Sequence, residues 1–287
     1  MDLVTIACEQ DFDVMRLQAE SISKFLQPCT HWVTINERFP DKQRWKDMLE
    51  PYYTKHKLVL LFPKWYEYLH VPDGFERHQV YKLKMVNYIK DEEFLCLDPK
   101  DFFVKPCSTT DWAGVLGCGW IAYDSNWEPV IKRFAEYFNV DPVREKQFAS
   151  ECPFVWRTEL VKSLGDIEKF CSWYLKGKCG ELVLYSYLAN HLVDESFVPR
   201  KFARIFWRGE TVNETVLQDT YNTDYVKVMG FHRYVRYAAT DEQLAAINVW
   251  LNQLGFKTPV VRFKPSWFER FRNSRYYKTL NSGNTSR

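Results

Sequence analysis

The chain has 287 residues, of which 46% are hydrophobic and 26% charged, the composition of an ordinary water-soluble α/β protein with one large domain or two modest ones. No apolar stretch reaches bilayer-spanning length and no charged-then-apolar leader opens the chain, so no membrane span is expected and a cytoplasmic location is. The eight cysteines form no C-x-x-C pair, which removes support for a zinc knuckle and fits reduced thiols.

In chain order, Leu3 to Cys8 reads as a first buried strand. Asp13 to Phe25 has the apolar spacing of an amphipathic helix, and His31 to Asn36 reads as a second strand. Strand, helix and strand make a βαβ unit, which feeds a parallel sheet through a right-handed crossover. A helix over 41–53 and a strand at Leu58–Phe62 extend the alternation. No G-x-G-x-x-G follows the first strand, so the dinucleotide fingerprint is absent. A further helix runs from Gly74 to Tyr88, with Gln79 and Lys82 three apart on one face. A solvated face is the plain alternative for Lys82.

The chain then turns on Phe94 to Pro106. An apolar run breaks into Asp98-Pro99-Lys100-Asp101, and a second apolar run follows. The first run reads as a buried strand, which puts the charged cluster at its C-terminal edge. Ligands bind at that edge in open α/β sheets, although Asp-Pro also starts ordinary surface turns. A glycine-punctuated strand at 113–122, a helix over 127–138, a strand at Pro153–Trp156 and a helix capped by Thr158 come next. Helices over 166–175 and 181–188 follow. Glu181 opens the second, where capping alone would account for an acid. A strand at Phe202–Trp207 and the segment Gly230-Phe231-His232-Arg233 precede a capping box at Thr240–Gln243. The helix after it stops at Gly255.

Residues 257–287 hold eight Lys or Arg against the single acid Glu269, a charge of +7. Cations interleaved with aromatic rings suit a nucleic acid, since phosphates meet the cations and bases stack on the rings. Arg270, Arg272, Arg275 and Tyr276 are the candidates for that contact. A solvated tail is the alternative. The simplest division is a body over 1–256 and a basic aromatic extension over 257–287, polar and disordered at its very end.

Four ordered pieces of the chain resemble a largely uncharacterised group of glycosyltransferase-A-like proteins of bacteria and phages. They are the first strand with Asn36-Glu37 after the helix, and Gln79-Val80-Tyr81-Lys82-Leu83 before the strand ending at Asp98-Pro99-Lys100-Asp101. Pro153-Phe154-Val155 with the later Glu181-Leu182-Val183 is the third, and Gly230-Phe231-His232-Arg233 before the capped helix the fourth. The resemblance spans about residues 3–256. It implies a Rossmann-like glycosyltransferase-A fold, with a mostly parallel sheet between helices, over residues 1–256. It also implies transfer from a nucleotide sugar, with UDP as the expected nucleotide.

In that fold an Asp-x-Asp holds a divalent cation on the donor diphosphate. Here Asp98 matches the first Asp, but Lys100 stands where the second belongs and Asp101 follows. Two accounts stay open. Lys100 could neutralise the diphosphate directly, or Asp98, Asp101 and His232 could hold Mg²⁺ or Mn²⁺. A satisfied, partly buried histidine is the plain alternative for His232.

The remaining expected roles follow from the chemistry of sugar transfer. Glu181 is the candidate base with Asp98 and Lys100 at the reacting diphosphate. Lys82 and Arg233 would meet phosphate, Gln79 the sugar or ribose, and Glu9 and Asn36 the nucleoside. The acceptor is either a glycan or duplex DNA carrying hydroxymethylated bases, as phages modify it, which would need base flipping; a phage enzyme would work in the host cytoplasm. The altered Asp-x-Asp also leaves room for a non-catalytic sugar- or nucleic-acid-binding module.

Overall fold

A computed structural model describes residues 2–64, 66, 74–108, 111, 128–139, 153–174, 202–207 and 210–264. The expected strand over 113–122, the helix over 181–188 and the tail from 265 onward lie outside the described residues.

Five strands form the main sheet: β1 (Asp2–Ala7), β2 (Thr30–Ile35), β3 (Lys57–Leu61), β4 (Glu93–Leu97) and β6 (Phe154–Arg157), in the order β3-β2-β1-β4-β6. The first four are parallel and β6 runs antiparallel to β4. Between them run α1 (Phe12–Phe25), α2 (Lys42–Leu49) and α3 (Gly74–Lys84). The helix expected over 41–53 is shorter. Asp41 caps it by accepting the Arg44 N–H at 3.0 Å, and a 3₁₀ turn containing Pro51 follows Leu49. The proline has no N–H to extend the helix.

Strand alternation sorts the sheet's side chains onto two faces. Leu3, Leu95, Leu97, Val33 and Ile35 pack with Met15, Ile22, Trp45 and Leu49 of α1 and α2. Val4, Ile6, Phe94, Cys96 and Trp156 pack with Val80 and Leu83 of α3. The same face also takes Phe134 of α4 (Glu128–Phe138), Leu160 of α5 (Thr158–Lys162) and Phe170 of α6 (Ile167–Tyr174). Each such large apolar side chain contributes about 1.5–3 kcal/mol by leaving water. Thr158 does not cap α5, because Arg157 holds the capping position. Its hydroxyl instead donates to the Asp91 carbonyl at 2.6 Å.

A second sheet joins β5 (Asp101–Phe103), β8 (Val228–Phe231) and β7 (Ala203–Phe206), with β8 in the middle. It packs its own core, Phe102, Phe206, Phe231, Leu217, Ile247 and Trp250, beneath α7 (Glu214–Asn222) and α9 (Asp241–Gln253). α7, which the sequence pattern did not mark, starts where Asn213 accepts the Val216 N–H at 2.9 Å. A short α8 (Arg233–Ala238) follows β8 and precedes α9 in the chain. The capping box at Thr240 and Gln243 forms as expected, and Gly255 ends α9 with φ +77°.

Residues 257–264 lie on the body. Glu20 accepts the Lys257 and Thr258 N–H groups at 2.7 and 2.9 Å, and Asn248 exchanges two hydrogen bonds with Val260. No helix among the described residues is long and apolar enough to cross a membrane.

Candidate functional site

The order of the main sheet defines the site. The chain builds outward from β1 through β2 to β3, then returns to the other side of β1 with β4. Loops at the C-terminal ends of β1 and β4 therefore diverge, opening a crevice at the switch in strand order. Asp98 follows the last residue of β4, and Thr5 of β1 pairs with Leu97. The charged cluster sits at this switch.

Phe94 and Cys96 face α3, so by alternation Asp98 does too, and α3 supplies its partners. Lys82 Nζ lies 2.9 Å from Asp98 Oδ1, and His78 Nε2, one turn earlier, 3.6 Å from the same oxygen. Lys100 Nζ takes Asp98 Oδ2 at 2.6 Å and stands 3.6 Å from Asp101 Oδ1. The Lys82 side chain is only 2% exposed, which removes the solvated-face alternative. Burial raises the Asp98 carboxyl's pKa, but Lys100, then Lys82, then His78 outweigh it and hold that carboxyl well below its usual range.

The cluster is also a turn. The Asp101 N–H donates to the Asp98 carbonyl at 2.9 Å, and the Asp98 N–H donates to Asp101 Oδ2 at 2.8 Å. Gln18 of α1 secures both ends by donating from Nε2 to the Asp98 and Asp101 carbonyls, each at 2.8 Å. Its Oε1 accepts the Thr5 hydroxyl at 2.9 Å. With its proton committed there, Thr5 Oγ1 accepts from His31 Nε2 at 2.9 Å, and His31 Nδ1 accepts the Tyr53 hydroxyl at 2.5 Å. Burial, then the charge of His56, lowers the His31 pKa to about 3, which keeps it neutral and suits this one-way chain.

Gly230 closes the other side, paired with Asp101 across the antiparallel strands. A Cβ there would stand 2.8 Å from Ile205 Cδ1, 3.0 Å from Asp101 Oδ1 and 3.1 Å from the Lys100 carbonyl. The glycine permits that approach.

Three of the residues assigned roles in the sequence thus meet around one carboxylate: Asp98, Lys100 and Lys82. Asp101 stands behind them, completely buried. Asn36 is buried at the end of β2, where its Nδ2 donates to the Gly74 carbonyl and its Oδ1 accepts from Arg77 Nε, both at 2.9 Å. Glu9 is exposed and pairs with Arg44 at 3.0 Å. Gln79 is buried beside Lys82 in α3. Glu181 and the tail residues Arg270, Arg272, Arg275 and Tyr276 lie outside the described residues.

His232 caps α8, its Nδ1 accepting the Tyr234 N–H at 3.4 Å, and stacks on Trp207 with ring centroids 4.4 Å apart. Burial, then the charges of Lys100 and Arg233, lowers its pKa to about 3. Arg233 follows at the start of α8 and donates to the Tyr234 hydroxyl at 3.4 Å.

The cation site expected at Asp98, Asp101 and His232 is not assembled. Among the described residues no three His, Cys, Asp or Glu side chains are grouped to hold a metal ion. Both Asp98 oxygens face ammonium groups, and Asp101 Oδ2 is turned inward onto a backbone N–H. Among the described residues the donor set does not fit Mg²⁺ or Mn²⁺.

Sequence reasoning missed Gln18, whose signal was a polar residue on the apolar stripe between Val14 and Ile22 of α1. It also left His78 without a role, although His78 and Lys82 stand four apart on one helix. A groove of about 780 Å³ between α1 and α2 is lined by Phe12, Arg16, Arg44 and Tyr52 among others and shares no residue with the Asp98 cluster.

Neither a scan against protein-family models nor a search of curated proteins gives a match. Among solved structures, the chain is similar to galactosyltransferase LgtC in complex with donor and acceptor sugar analogues. The TM-score is 0.50 at 12% identity, over 95% of this chain and all of that one. It is also similar to apo mouse xyloside xylosyltransferase 1, with TM-score 0.44 at 11% identity, over 80% of this chain and 97% of that one. At these identities the likeness speaks to the fold. With its central, mostly parallel sheet between helices and the switch in strand order between β1 and β4, the chain has the glycosyltransferase-A fold.

Proposed function

We propose that the chain transfers a sugar from a nucleotide-sugar donor, expected to be a UDP-sugar, to an acceptor hydroxyl, with the donor diphosphate at the Asp98–Asp101 turn. The observation that carries this reading is the pair of ammonium groups, buried Lys82 and partly buried Lys100, placed on Asp98 at the switch point of a glycosyltransferase-A sheet. Transfer breaks the bond between the anomeric carbon and a diphosphate oxygen, which leaves with the electron pair. The acceptor oxygen bonds to that carbon and gives up its proton to a base. Positive charge fixed beside the leaving oxygen lowers the barrier, more so in a site shielded from water. Lys100, on the turn itself, is the group we assign to that charge. Lys82 holds Asp98, which in turn aims Lys100. Glu181 remains our candidate base.

A glycan hydroxyl is the acceptor we favour, by fold-level analogy with a transferase held with an acceptor sugar analogue. Duplex DNA with hydroxymethylated bases is the second arm of the test, because only the tail residues suggest it.

The test incubates the full chain with a panel of nucleotide sugars, with and without Mn²⁺, against glycan and duplex acceptors. Mass spectrometry then follows the acceptor. A mass gain of one sugar with release of the nucleoside diphosphate is the expected result. No transfer, no donor hydrolysis and no thermal shift from any nucleotide sugar would sink the transferase reading and leave a binding module on the same fold.

A further inference from the structure

Arg236, on α8, is 3% exposed, and its buried Nε has no hydrogen-bond partner among the described residues. A guanidinium carries five donors, and burying it without a bonded acceptor is among the costlier arrangements a fold can hold. Such a group points to an anion that is itself part of the working molecule.

Its surroundings say where that anion would lie. On one side the Phe263 ring lies 5.5 Å from the guanidinium carbon, an apolar floor that accepts no hydrogen bond in the ring plane. The charges of Asp11 and Asp13, in the segment just after β1, also act on Arg236 and favour its charged form. Neither forms an ion pair with it. Asp11 Oδ2 is turned to the Cys8 N–H at 3.1 Å and thiol at 3.2 Å, and Asp13 is exposed. α8 follows β8 directly, and β8 pairs its Gly230 with Asp101, so Arg236 stands on the element next to the turn at the switch in strand order. Arg236 stands one turn along α8 from His232, whose carbonyl accepts its N–H at 3.2 Å. Arg233 and Arg236 are three apart on α8 and share a side of it.

We propose that Arg236 binds the donor's diphosphate directly, acting with Lys100 in the place that a divalent cation would otherwise fill. This rests on the transferase reading above. It also accounts for the misfit of a metal: Asp98 faces two ammonium groups, whereas a phosphate oxygen is the acceptor that Arg236 lacks. Guanidinium matches a phosphate in a planar, two-point contact, which an ammonium cannot do.

The test is calorimetric binding of UDP and of uridine in EDTA, then with excess Mn²⁺, to the full-length wild type, Arg236→Gln and Arg236→Lys. Wild type is expected to bind UDP at least tenfold tighter than uridine in EDTA, with little change on adding Mn²⁺. Arg236→Gln should erase most of that ratio while leaving uridine affinity as it was, and Arg236→Lys should retain part of it. Inorganic pyrophosphate in EDTA should raise the melting temperature of the wild type, a result that does not depend on any variant folding. A UDP-to-uridine ratio indifferent to Arg236, or one that appears only with Mn²⁺, overturns the inference and leaves the transferase reading standing. Absence of any UDP or pyrophosphate binding by the wild type overturns the inference. If every other nucleotide sugar also fails to bind, the transferase reading goes with it.

Discussion

Lys100 Nζ and Asp98 Oδ2 lie 2.6 Å apart on one four-residue turn, while Lys82 reaches the other Asp98 oxygen at 2.9 Å from a neighbouring helix. The carboxylate is thus shared between a lysine that belongs to the turn and one that anchors the turn to α3. The two are not equivalent, since removing one partner of a buried pair leaves the other charge uncompensated. Asp98→Asn strands the buried Lys82 and should lower the unfolding free energy by about 3–5 kcal/mol. Lys100→Ala keeps the Lys82–Asp98 pair and should cost less stability, about 1–2 kcal/mol, while weakening UDP binding in EDTA. Urea denaturation beside UDP titration checks both. A Lys100→Ala protein that binds UDP as well as the wild type would refute the role given to Lys100.

Gln18 donates to the buried Asp101 carbonyl, shares the Asp98 carbonyl with the Asp101 N–H, and accepts the Thr5 hydroxyl. Leaving a buried group unpaired costs about 1–3 kcal/mol, so Gln18→Leu, which strands the Asp101 carbonyl and the Thr5 hydroxyl, should lower stability by about 2–4 kcal/mol. Gln18→Glu, nearly identical in shape, turns an acceptor-only oxygen on the same carbonyls and should fare no better. Equal stability of Gln18→Glu and wild type at neutral pH would contradict the hydrogen-bond directions described here.

Gly230→Ala pushes a methyl against Ile205 Cδ1 at 2.8 Å and the Lys100 carbonyl at 3.1 Å. Overpacking of this kind costs about 1–3 kcal/mol. Because one obstacle is the backbone of the turn, the variant should also lose UDP affinity relative to uridine. Thermal melts and the same titrations read the two effects separately. Lost stability with intact UDP binding would show that the turn does not move.

His31 gives stability a pH dependence of definite sign. Burial first, and the charge of His56 second, lowers its folded pKa to about 3 from 6.5. Between those values the unfolded chain takes up a proton that the native protein refuses. The stabilisation is present above pH 6.5 and lost as pH falls through the window, by up to about 1.4 kcal/mol per pH unit. Asp98, with its folded pKa also depressed, adds a loss only below about pH 4. Denaturation curves at pH 7, 6 and 5 should therefore be steeper in pH for the wild type than for His31→Gln. Coincident slopes would mean that His31 is not held neutral.

Much of the frame was legible in the residues. Strands β1 to β4, helices α1 and α3, the break at Asp98 and the cap at Thr240 all follow from local patterns of two and 3.6 residues, which are set by backbone geometry. Local patterning likewise marked the Asp98–Asp101 segment as a turn with charge in it. It could not show that β5 leaves the main sheet for a second one, that α7 and α8 form, or that Thr158 stands one residue inside its helix. Pairing partners and helix ends are decided by contacts distant in sequence. The same holds for the candidate site. The residues named for the donor diphosphate, Asp98, Lys100 and Lys82, come together in the structure, yet which oxygen each lysine takes depends on the register between α3 and β4. Gln18 and Asp98 are 80 residues apart, and Gln18 and Asp101 83. Burial turns such distant neighbours into obligatory partners, because a buried polar group must find its complement wherever the fold brings one. Side-chain period thus marks most of the strands and helices and the point where charge interrupts them. Which charges meet, and that Asp98 is held by two lysines, follows from contacts between segments far apart in the chain.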